Sequence, residues 1–131
     1  GTLTGNQNRA KIYVDGVNVT ATDGGTIPAT TTADTSDFLL GKVNGLGIFY
    51  YLGNMDEFAI FDYSLTQQNV TDIFNLGNPN DLNLLSTPPI NWLRNGDNDT
   101  YPTIADVGSA ASNPGTMTNM DAGDIVSDVP L

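Results

Sequence analysis

The chain has 131 residues, 39% hydrophobic and 15% charged, with a formal net charge of -11 set by fifteen acidic and only four basic side chains. Those four, Arg9, Lys11, Lys42 and Arg94, cannot neutralise a series of phosphates, which excludes nucleic acid as a partner and disfavours anionic membranes. The absence of Cys and His removes disulfides, thiolate and imidazole metal sites and His-based catalysis by inventory, and no apolar run approaches the roughly 18 residues of a membrane span.

Length leaves room for one domain over residues 1–131. Residues 9–21 read RAKIYVDGVNVTA, two β-branched and aromatic runs joined at Asp15-Gly16, which predicts a hairpin with a type I′ turn. Ile12 and Val14 then share one face, with Lys11 and Tyr13 on the other. Residues 22–36, rich in Thr, Ala, Asp and Gly with Pro28 among them, read as a surface loop. Strand character returns at Asp37 to Val43, breaks at Asn44-Gly45, resumes through Ile48 to Leu52 and turns at Gly53-Asn54. Met55 to Asp62 alternates as a third strand with apolar residues on both faces near its end.

Residues 64–77 predict a single short helix. Thr66 suits the N-cap, Leu65 and Val70 fit a hydrophobic staple, Gly77 fits a left-handed C-cap, and Val70, Ile73 and Phe74 form the apolar stripe. Asn78 to Pro89 is linker-like, with three of the seven prolines. Ile90 to Met120 follows, holding the single tryptophan, Trp92, an Asp-rich turn and GTMTNM. The acidic end, Asp121 to Leu131, alternates weakly at Ile125, Val126 and Val129 and reads as a further strand or ordered tail.

Four segments occur in order: KIYVDG at 11–16, FLLGKV at 38–43, GNMDEFAIFDYSLT at 53–66, and the capped helix ending at Gly77. Together they resemble the C-terminal half of a laminin-G-like, concanavalin A-like lectin/glucanase domain. The later block NWLRNGDNDTYPTIADVGSAASNPGTMTNM looks like the opening strand of the same kind of domain, either closing the sheet in permuted order or starting a second copy. The ending is similar to LamG-like structural proteins of marine tailed phages. The resemblance implies an all-β, jelly-roll β-sandwich with one short α-helix. It also implies several strands ahead of KIYVDG; unless 90–131 supplies them, sheet edges stay open for a neighbouring copy, so a homo-oligomer or larger assembly is expected.

Glycoside hydrolysis on this kind of fold uses a carboxylate pair, about 5–5.5 Å apart in retaining enzymes. Glu57 is the one glutamate, and beside Asp56 in a strand it would point to the opposite face, so no catalytic residue is expected and a β-glucan hydrolase is a distant alternative. Asp97, Asn98, Asp99 and Asp106 concentrate oxygen donors of the kind calcium takes, without the EF-hand order; a turn with Asx-type hydrogen bonds is the competing reading. Glycan binding would need an exposed aromatic platform, for which Tyr50, Tyr51, Tyr63 and Tyr101 are candidates. Of Tyr50 and Tyr51, alternation buries one and exposes the other; Trp92 reads as a core anchor. N-x-Thr sequons stand at Asn18, Asn69 and Asn98. The expected role is a non-catalytic structural module at a virion surface or outside the cell, with adhesion to cell-surface glycans; the alternative is a lectin-like domain of a larger bacterial surface protein.

Overall fold

Asp15 and Gly16 both take positive φ, 50° and 76°, the pair of conformations a type I′ turn requires. The computed structural model describes residues 5–19, 24–30, 36–43, 50–97 and 99–126, and the chain divides into two compact units, Gly1–Asn54 and Met55–Leu131.

In the first unit the Asp15-Gly16 turn joins β1 (Ile12–Val14) to β2 (Val17–Val19), setting Ile12 opposite Val19, Tyr13 opposite Asn18 and Val14 opposite Val17. Directly opposed residues share a face. Ile12, Val14, Val17 and Val19 therefore line one aliphatic face, and all four are exposed, Val17 by 64%. Ahead of the hairpin, Asn6–Arg9 form a single helical turn, α1. Its Asn6 amide accepts from the Ile27 N–H at 2.8 Å and donates to the Gly25 carbonyl, while the Arg9 guanidinium donates to the Ile27 carbonyl. The expected loop is thus tethered to α1 through residues 25–27.

Two strands were expected over 37–43 and 48–52. The described part of this region holds one antiparallel bridge, Lys42 opposite Tyr50, with the Tyr51 N–H donating to the Gly41 carbonyl at 2.8 Å. Gly41 has φ 72°, which interrupts the pleat immediately before Lys42. The break at Asn44-Gly45 and the restart at Ile48 lie outside the described residues.

The second unit is built around β4 (Asn91–Leu93). On one side it pairs antiparallel with β3 (Phe58–Ile60), Ala59 opposite Trp92. On the other side the Val107 N–H donates to the Trp92 carbonyl at 2.9 Å and the Ala110 N–H to the Ile90 carbonyl at 3.0 Å. Gly108 lies so close to β4 that a Cβ there would stand 2.7 Å from the Ile90 carbonyl oxygen and 2.8 Å from the Asn91 Cα. β3 is shorter than the expected 55–62 strand because Glu57, with φ 52°, leaves the pleat.

Thr66 caps the expected helix, α2 (Gln67–Phe74), accepting from the Asn69 N–H while the Asn69 side chain accepts from the Thr66 N–H at 2.9 Å. The left-handed exit begins at Asn75, two residues before Gly77, and continues through a 3-10 turn at Asn75–Gly77. Val70, Ile73 and Phe74 are half-buried, as an amphipathic stripe requires. Within the linker-like stretch, Leu82 and Pro89 are buried, and they join Trp92, Leu93 and Met117 as the buried apolar residues among those described. β5 (Thr103–Ile104) pairs with β6 (Gly115–Thr116). At the acidic end, where a further strand or an ordered tail was expected, Asp121 caps a 3-10 turn at Ala122–Asp124; residues 127–131 lie outside the described set.

Against the expected jelly roll, the described residues form three separate two-stranded ladders, and two facing sheets are not evident among them. The reason is local: left-handed residues at Gly41 and Glu57 and at the turns hold each run of pleated backbone to two or three residues. Charge is divided unevenly, with three of the four basic residues in 1–54 and eleven of the fifteen acidic ones in 55–131.

Candidate functional site

Antiparallel pairing places Lys42 and Tyr50 on one face of their bridge. The Lys42 ammonium stands 6.0 Å from the Tyr50 ring centroid, the outer reach of a cation–π contact. Tyr50 is 50% exposed and Tyr51 58%. The expectation that one of these rings turns inward does not hold, because the single bridge carries no second layer on either side among the described residues. Tyr51 folds back over Gly53, where a Cβ would meet its hydroxyl at 2.9 Å, and the hydroxyl donates to the Asn54 carbonyl at 3.4 Å. The hydroxyl end of that ring is therefore anchored against main chain.

The other two tyrosines lie in the second unit. Tyr63 donates to the Thr87 carbonyl at 2.9 Å and meets Phe61 edge-on, centroids 5.6 Å apart, so its hydroxyl is already used. Tyr101 is exposed. Trp92 is 2% exposed, a core anchor as expected, and its indole N–H donates to Glu57 Oε2 at 2.6 Å. Arg94 Nε donates to Glu57 Oε1 at 3.1 Å, its guanidinium stacks on the Trp92 ring 5.2 Å from the centroid, and it pairs with Asp97 at 2.5 Å. Burial works against the Arg94 charge, but the hydrogen bond and charge of Glu57 outweigh it and raise its pKa. Both oxygens of the single glutamate are engaged. Asp56 accepts from the Glu57 N–H at 2.9 Å.

The acids suggested for calcium turn to separate donors. Asp97 holds Arg94. Asp99 accepts from the Gly96 N–H at 2.9 Å and the Ala105 N–H at 2.8 Å, three residues before it and six after it, whereas the Asx-type bond to the residue two further on is made by Asp106 to Gly108. Asp106 accepts from five groups: the N–H of Trp92 at 2.9 Å, Gly108 at 3.0 Å, Ser112 at 3.2 Å and Asn113 at 3.1 Å, and the Asn91 amide at 2.7 Å. Burial pushes the Asp106 carboxyl up, but the bonds from Trp92, Gly108, Asn91 and Asn113 prevail and hold it below the ordinary aspartate value. Asn98 lies outside the described residues. Among the described residues no three acidic side chains gather as a metal site. The sequon at Asn69 falls on the helix cap, and Asn18 is exposed on β2.

Sequence reasoning missed Lys42, Arg94 and the role of Asp106. For Arg94 a signal exists in W-x-R, since residues two apart in a strand share a face; for Asp106 there is none, because its donors come from both sides of it in the chain.

Residues 1–71 match the family model described as concanavalin A-like lectin/glucanases superfamily. More than half of the chain is covered, and the chain belongs to this superfamily. No curated protein and no solved structure matches it.

Proposed function

We propose that the chain is a non-catalytic adhesion module, displayed outside the cell or on a virion surface, that takes glycans on the Tyr50–Tyr51 segment. The observation that carries this reading is the exposure of both adjacent rings, 50% and 58%, with the hydroxyl end of Tyr51 lying against Gly53. A ring anchored at its hydroxyl end loses little side-chain freedom on binding, and its open face suits the apolar face of a pyranose. Membership of a lectin/glucanase superfamily supports carbohydrate as the ligand class, and engagement of both Glu57 oxygens supports binding without hydrolysis. A glycan array tests it: the intact chain binds, and Tyr51→Ala weakens binding at least about tenfold while circular dichroism is unchanged, as expected for an exposed substitution. Reducing sugar released from β-glucan, or no glycan bound at all, rejects it.

A second reading, assembly with other copies, is favoured by the exposed aliphatic face of β1 and β2. A two-stranded hairpin is marginal by itself, and four β-branched side chains on one side of it stabilise it once covered.

A further inference from the structure

The described residues contain two cation–aromatic pairs in opposite electrostatic states. In the first, Arg94 over Trp92, the guanidinium is neutralised by Glu57 at 3.1 Å and Asp97 at 2.5 Å, and the ring is buried. In the second, Lys42 over Tyr50, cation and ring are both exposed, and among the described residues Lys42 has no carboxylate partner. Of the other two basic residues, Arg9 is bound to the Ile27 carbonyl, and among the described residues no aromatic ring pairs with Lys11. In a chain of net charge -11, Lys42 thus sets an ammonium with no carboxylate partner among the described residues beside an exposed aromatic face.

We infer that the Lys42–Tyr50 face selects an acidic saccharide, its anionic substituent on the Lys42 ammonium and its C–H surface on the Tyr50 ring. This rests on the adhesion reading above and names the ligand class for the same segment. Among the described residues the second pair lacks what the first one has, an anion on the cation, and a uronate, sialate or sulfate group supplies it. Ligand anion and ammonium meet in a charge-assisted hydrogen bond, which is stronger than a neutral one. Repulsion from the acidic remainder of the chain is screened beyond a Debye length of about 8 Å at physiological salt, so recognition is short-range and decided at Lys42.

The test is an array of oligosaccharides of matched backbone in neutral, uronate-bearing, sialylated and sulfated forms, read with the intact chain and with Lys42→Met and Lys42→Arg. The expected result is binding to at least one acidic form about tenfold or more above its neutral counterpart, loss of that ratio in Lys42→Met and retention in Lys42→Arg. The responding arm identifies carboxylate or sulfate as the anion. Equal binding of neutral and acidic forms, or a ratio unchanged in Lys42→Met, overturns this inference and leaves glycan adhesion standing. Silence across every arm overturns both.

Discussion

Asp106 shows how much one side chain can organise. Five donors converge on its carboxylate, tying β4 to the segment that follows. Asp106→Asn puts an NH2 against N–H groups that need an acceptor, and stranding such donors costs about 1–3 kcal/mol; urea unfolding at pH 7 measures the loss. The carboxyl is held below its ordinary value, so its contribution is whole above about pH 4 and fades as pH falls through the lowered value. Stability of the intact chain therefore drops as pH falls below about 4, and in Asp106→Asn that part of the drop disappears. A variant as acid-sensitive as the parent would show that another carboxylate governs the loss. Glu57 offers a second residue-scale prediction. Glu57→Gln keeps the shape but removes the charge facing Arg94 and the strong acceptor for the indole N–H, and a loss of about 1–3 kcal/mol is expected, read as a lower urea midpoint with an unchanged slope.

At the scale of elements, local chemistry decided what could be read from sequence. Asp15-Gly16 demands positive φ at two successive residues, a requirement met within the dipeptide, and the hairpin formed where it was expected. The Thr66 cap is equally local, and Thr66→Ala should cost α2 about 1 kcal/mol, seen as reduced stability of the second unit in thermal unfolding. Longer strands were expected at 37–43 and 55–62 because propensity alternates there; the left-handed residues Gly41 and Glu57 cut them, and neither residue type announces this, since glycine also sits in extended chain and glutamate seldom takes positive φ. Contacts across the sequence were the least legible. Trp92 and Glu57 are 35 residues apart, and only folding reveals that the single tryptophan's N–H needs the single glutamate. Gly108 belongs here too. With backbone 2.7 Å from its would-be Cβ, Gly108→Ala must push the 106–110 segment off β4, at a cost of about 1–3 kcal/mol; amide exchange at Val107 and Ala110 should quicken, whereas unchanged protection would mean the segment yields freely.

For the molecule as a whole, family membership was legible because its signature is a series of short motifs in order, whereas closure of a sandwich depends on pairings that no motif encodes. The apolar residues buried among those described, Leu82, Pro89, Trp92, Leu93 and Met117, all belong to the second unit. The first unit's aliphatics on β1 and β2 are exposed, which is the physical basis for expecting association. Sedimentation of the intact chain against Val17→Lys decides it: a concentration-dependent oligomer that dissociates in the variant is expected, and a monomer at every concentration counts against assembly.

The unequal division of charge has a practical outcome for handling the protein. On a quaternary-amine resin the halves would behave as different substances, residues 55–131 retained until high salt and residues 1–54 barely delayed. Immobilisation through such a support therefore grips the acidic half and leaves the lysine and tyrosines at 42, 50 and 51 out of the attachment chemistry, whereas coupling through amines would consume Lys42 itself.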